Sequence, residues 1–189
     1  MQLNARRLPS ASEGGFTLIE LLITVVIVSV GLLGLAKLQA AAAAETSTAR
    51  TRSIMAYQAE SLAGAMRANR GFWGQTIGTM PKVTTAAGAT NGAYTVVTGS
   101  VPASSTKDCT SVVCSKEELA AWDINTWTSA YATQFPSATS IIACVNTSGP
   151  VTCDITLSWS EHYVGINKST TATGAAVTGT GTLIVHVQP

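Results

Sequence analysis

Residues 16–36 read FTLIELLITVVIVSVGLLGLA, 21 positions that carry a single charge, Glu20. A bilayer's hydrocarbon core takes about 20 helical residues to cross, so this run is expected to form a helix that sits in a membrane. Arg6 and Arg7 precede it and no comparable basic cluster follows at once. The positive-inside bias then keeps the short N-terminus in the cytoplasm and sends everything after the run across. A cleaved secretory signal is a poor reading of the run, because its apolar core is too long and holds a carboxylate close to its start. A plain single-pass anchor fits the length but not Glu20, since a carboxylate inside a bilayer costs about 2.5–3.5 kcal/mol and is normally kept for a partner.

The apolar run distorts the composition of the whole chain. Charged residues make up 11% and aromatic residues 6% of 189 positions, against about 25% charged in an ordinary soluble domain. The length allows one globular unit plus an appendage. Net charge is +1, and removal of residues 1–15 takes away Arg6, Arg7 and Glu13, leaving nine positive and nine negative side chains. A neutral chain has no general attraction to nucleic acid. Four cysteines follow the apolar run, an even number that fits disulfides formed in an oxidising compartment.

Gly14-Gly15-Phe16-Thr17-Leu18-Ile19-Glu20, after a short basic leader, resembles the class III signal of type IV pilins and type II secretion pseudopilins. The resemblance implies cleavage after Gly15 by a prepilin peptidase, N-methylation of the new amine on Phe16, and residence in the inner membrane before assembly. It also gives Glu20 a role: four residues, about one helical turn, separate it from Phe16, so in a filament its carboxylate would meet the free amine on a neighbouring subunit's Phe16. Breaking such a buried pair costs about 3–5 kcal/mol, which favours each incoming subunit when it docks in register.

From Lys37 to Arg70 there is no proline and alanine is abundant, so one helix is expected from Phe16 to Arg70, about 82 Å long at 1.5 Å per residue. Such a helix outlasts any bilayer, and its second half must pack on a head, with Ile54, Tyr57, Leu62 and Met66 as the apolar face. The expected division is a leader at 1–15, a membrane or filament-core half-helix at 16–38, a second half at 39–70 and a globular head at 71–189. Gly71, Gly74 and Gly78, followed by Pro81, are expected to close the helix.

In the head, β-like runs stand at 93–98, 139–146, 151–160 and 182–188, so about four antiparallel strands in an α+β arrangement are expected. A turn at Ser148-Gly149 sets Cys144 opposite Cys153, within reach of a disulfide. Cys109 and Cys114 enclose four residues. Four cysteines permit three connectivities, and proximity favours 109 with 114 and 144 with 153. Neither spacing is a zinc-ribbon or finger pattern, and no metal or cofactor is expected. Lys116–Gln134 reads as a second helix, opened by a Ser115-x-x-Glu118 capping box, with Leu119, Trp122, Trp127 and Tyr131 as core. The Thr/Ala/Gly stretches at 84–92 and 169–181 read as surface loops.

The order Met66-Arg67-Ala68-Asn69, then Asp108-Cys109, Cys114, Leu119-Ala120, Trp122-Asp123, Trp127 and a strand bearing Trp159, is similar to PilV-type minor pilins. That resemblance implies a pilus modification or assembly subunit whose head is periplasmic before assembly and on the pilus or cell surface afterwards, with other pilin subunits as partners and a part in adhesion. A minor pseudopilin of a type II secretion system is the nearest alternative, since the leader is shared. A displayed DNA-binding module is disfavoured, because after residue 71 the only basic side chains apart from histidine are Lys82, Lys107, Lys116 and Lys168. No catalytic constellation and no small-molecule substrate are expected: His162 beside Glu161, and His186 on the last strand, lack a nucleophile context. The sequons at Asn146 and Asn167 are too common by chance to carry a function.

Overall fold

A computed structural model of the chain describes residues 15–75, 79–89, 91–104, 107–146, 149–163 and 177–189. The leader up to Gly14, Gly78, Lys168 and the sequon at Asn167 lie outside those residues. The element order is α1 (Leu18–Ala68), α2 (Arg70–Trp73), β1 (Lys82–Thr85), β2 (Thr95–Thr98), α3 (Lys116–Gln134), β3 (Thr139–Val145), β4 (Thr152–Tyr163) and β5 (Val177–Val187). The five strands form one antiparallel sheet in the order β2-β1-β3-β4-β5. The fold is α+β and pilin-like, a long apolar N-terminal helix with an antiparallel sheet and additional helices.

The chain divides into two compact units, 1–43 and 44–189. In the second unit, the last part of α1 contributes Met55, Ala59, Leu62, Ala63 and Met66 to the core. These positions recur at +4, +7, +8 and +11 from Met55, one face of a helix. Tyr57, expected in that face, is 74% exposed. Alanine at 59 and 63 rather than a large aromatic lets neighbouring elements approach this face closely. The core is completed by α3 through Ile124, Trp127 and Tyr131, and by one face of the sheet through Val83, Ile142, Ile155, Leu157 and Trp159.

The expected single helix to Arg70 is instead interrupted at Asn69, whose side chain donates to Lys116 O at 2.7 Å. α2 then turns Phe72 and Trp73 into the core, their rings edge to face at 4.9 Å. Gly71 therefore lies inside a helix and Gly74 caps it. α3 runs over Lys116–Gln134, and its capping box is present: Ser115 Oγ accepts from Glu118 N at 3.2 Å and Glu118 Oε2 accepts from Ser115 N at 2.9 Å.

Two loop expectations need correction. Residues 82–85 are β1, which lies between β2 and β3, and residues 177–181 are the start of β5, paired with Trp159–Tyr163. β1 has one large apolar residue, Val83. Its other inward side chain, Thr85, is buried only because its hydroxyl meets Tyr131 Oη at 3.0 Å and Ser140 Oγ at 2.8 Å. Buried polar groups need such partners, and here they come from residues far along the chain.

Candidate assembly site

Thr17 stands just ahead of α1, and its hydroxyl accepts from Glu20 N at 3.3 Å while its carbonyl accepts from Glu20 N at 3.1 Å and Leu21 N at 3.2 Å. That is the hydrogen bonding of an N-cap, which satisfies amides a helix start leaves without intrahelical acceptors. Gly15 and Phe16 precede the first helical turn and are exposed. Glu20 lies within that turn, where the positive end of the helix dipole favours a carboxylate. Its side chain is exposed, and no hydrogen bond or ion pair reaches it among the described residues.

Beyond Glu20 the helix is apolar all round. Phe16 and fourteen Leu, Ile and Val side chains between Leu18 and Leu38 are all more than half exposed. The two hydroxyls in this stretch are turned back onto the helix, Thr24 Oγ1 donating to Leu21 O at 2.8 Å and Ser29 Oγ to Val25 O at 2.7 Å. They present no free donor to an apolar surrounding, the usual arrangement for Ser and Thr in lipid. A helix apolar on every side belongs in a protein core or a membrane, and an exposed patch this large marks a contact surface. α1 is long and apolar enough to cross a bilayer.

The four cysteines form two disulfides. Cys109 is bonded to Cys114 in the loop before α3, and Cys144 on β3 is bonded to Cys153, its cross-strand partner on β4. His186 on β5 approaches Asp154 on β4, Nδ1 to Oδ1 2.6 Å, with both side chains largely exposed. No group of three or more His, Cys, Asp or Glu side chains is placed to hold a metal among the described residues.

A second feature was not singled out from the sequence. Arg52 on α1 donates through Nε and Nη2 to the two carboxylate oxygens of Glu161 on β4, both at 2.8 Å, and the Trp159 indole N–H donates to the same carboxylate at 3.1 Å. The Glu161 side chain is 1% exposed and that of Arg52 59%. Gly181 on β5 makes room for the cluster: a Cβ there would stand 2.5 Å from the Trp159 ring and 2.7 Å from Glu161 Oε1. The residues are 109 apart in sequence, and the only local signal is parity, because Glu161 continues the inward series Cys153, Ile155, Leu157, Trp159.

The head also carries an open groove of about 270 Å³ between α1 and α3, with Gln58, Leu62, Ala65, Trp122, Asp123 and Trp127 in its walls. Half-burial without a counter-charge pushes the Asp123 carboxyl up to about 6. A folded-state value above the unfolded one means that the native state holds the extra proton. Stability is therefore greatest below about pH 4 for this group and falls as pH rises through about 6. Asp123→Asn is expected to stabilise the protein at pH 7 by on the order of 1 kcal/mol, a figure reduced for solvent screening at a half-exposed site. The gain should vanish in urea unfolding measured at pH 4, and an equal gain at both pH values would contradict the assignment.

Residues 10–36 match the family model described as the prokaryotic N-terminal methylation motif. The matched stretch contains Gly15, Phe16 and Glu20 and takes in the first turns of α1. No curated protein and no solved structure matches the chain. The motif is a prepilin peptidase cleavage and methylation site, and it supports a pilin- or pseudopilin-type subunit of a type IV pilus or related system.

Proposed function

We propose that the chain is a minor pilin of the PilV type, cut by the prepilin peptidase between Gly15 and Phe16, N-methylated on Phe16, and incorporated into a type IV pilus where it supports assembly, modification or adhesion. The observation that carries this reading is the start of α1: a Thr17-capped helix with Glu20 in its first turn and an uninterrupted apolar surface behind it, within the matched motif. Residues 1–15 act as the leader and 16–38 as the part held first by the inner membrane and then by other subunits' helices. Residues 39–70 form the second half of the stem, and 71–189 the extracytoplasmic head.

The physical logic is exchange of one apolar environment for another. Lipid and packed helices both cover the Leu, Ile and Val side chains, so moving from bilayer to filament changes little for them. Glu20 changes most, because in lipid it is costly and in a filament it gains the Phe16 amine of a neighbour. That difference favours docking in one register. The disulfide-braced head contributes no apolar cohesion of this kind and supplies the contacts specific to this subunit.

The test is fractionation of cells carrying an epitope-tagged head. Recovery of the tag on sheared pili supports the reading. Recovery only in membranes, together with secretion-apparatus components, would replace it with the pseudopilin alternative.

A further inference from the structure

The groove between α1 and α3 combines features that the stem's apolar packing does not explain. Its walls are largely apolar, with Leu62 and Ala65 from α1 facing Trp122, Trp127 and Ala130 from α3. Two of its polar side chains are engaged locally: the Trp127 indole N–H donates to Gln58 O at 2.8 Å and the Ser61 hydroxyl to the same oxygen at 2.9 Å. Asp123 is different. It is half-buried in this wall, and no hydrogen bond or ion pair reaches its carboxylate among the described residues.

Among the described residues, no lysine or arginine lines the groove. Several of the chain's own cations are engaged elsewhere, Arg52 with Glu161, Arg67 with Glu60, and Lys107 with Glu118. A desolvated carboxylate without a counter-ion is a cost to the fold, and the partly exposed indole of Trp122 next to it in sequence is a side chain that can meet a cation. One carboxylate is too few donors for a divalent ion, which takes six or more oxygens. The volume is below that of most small-molecule pockets and suits a single long side chain, whose alkyl stem can lie on apolar walls while its charged end reaches the carboxylate.

We propose that this groove is a docking site for a lysine or arginine side chain of a neighbouring subunit, its charge paired with Asp123 and its stem laid against Trp122 and Ala65. The identity of the partner as a filament subunit rests on the assembly reading above; the groove's selectivity for a cation does not. Asp123 then belongs to the class of residues that cost stability in the isolated protein and repay it in a complex.

The experiment uses the full chain in detergent micelles, with the tryptophan indoles labelled with nitrogen-15. N-acetyl-arginine amide is titrated in, and N-acetyl-citrulline amide, its neutral isostere, serves as the comparison. The expected result is a saturable shift of the Trp122 and Trp127 indole signals, with the citrulline compound at least about fivefold weaker. Asp123→Asn should bring the arginine compound down to the citrulline level while the Trp73 and Trp159 signals stay in place, which shows that the fold is intact. No saturable shift, an equal response to the two compounds, or full affinity in Asp123→Asn would overturn the groove. In cells, Asp123→Asn should be cleaved normally and recovered on sheared pili at a level reduced at least about threefold; undiminished recovery would overturn the subunit contact. Probe binding by a protein that is absent from pili altogether would instead count against the assembly reading and leave the cation selectivity standing.

Discussion

Glu20→Ala is expected to be cleaved at Gly15 like the unaltered chain, to stay in the membrane, and to fall at least about tenfold in sheared pili, since the lost pair is worth about 3–5 kcal/mol when buried. Cleavage should be spared because the residues around the scissile bond precede the helix and keep their Thr17 cap. The head should melt at its usual temperature, because the Glu20 carboxylate makes no hydrogen bond or ion pair with any described residue. Glu20→Gln separates charge from shape. If pairing with an amine carries the effect, glutamine behaves like alanine; if side-chain volume does, glutamine restores incorporation. Normal recovery of Glu20→Ala on pili would contradict the pairing role outright.

Arg52→Ala is expected to give the largest loss of head stability of any single exposed substitution on α1. It would leave the Glu161 carboxylate, 1% exposed, without its bidentate partner. Because Arg52 itself is more than half exposed, the loss should sit at or below the low end of the range for breaking a buried pair, about 2–3 kcal/mol. At about 2–4 °C per kcal/mol for a domain of this size, the melting temperature should fall by roughly 4–12 °C. A paired change, Arg52→Met with Glu161→Leu, should recover only part of it, since an apolar pair of similar volume often replaces a buried ion pair without loss but the buried Trp159 indole N–H loses its acceptor. A shift of under about 1 °C in Arg52→Ala would mean that water enters and solvates Glu161.

The long apolar N-terminal helix was legible because its signal is local: an apolar run with a single carboxylate near its start needs no distant residue to interpret it, although the Thr17 cap at its start was not read from the sequence. α3 was legible for the same reason, its start written in Ser115 and Glu118 and its core face in Trp127 and Tyr131. The hairpin of β3 and β4 was set by alternation and a turn, which is why Cys144 could be placed opposite Cys153.

What failed depends on contacts across long stretches of chain. β1 has four residues and becomes a strand because β2 and β3 flank it, while Thr85 is held inside by Tyr131 and Ser140. The first residues of β5 alternate glycine and threonine, a pattern that reads as loop until Gly181 is seen beneath Trp159 and Glu161. Tyr57 was assigned to an apolar face with Ile54, Leu62 and Met66, whereas the buried helix face is built from Met55, Ala59, Leu62, Ala63 and Met66. Large side chains are a poor guide where close approach selects small ones. The groove at Asp123 was invisible for a related cause, since its two walls are separate helices and the sequence shows only that one of them carries an acidic residue beside a tryptophan.

The central claim is that a new chain terminus is made at Phe16, supplying the amine that Glu20 requires. Intact-mass and N-terminal peptide analysis of the protein recovered from pili tests it most directly. The account predicts a mature chain that begins at Phe16 and carries one methyl group on its amine. A chain still holding Gly15, or one that begins near Ala40, would contradict it.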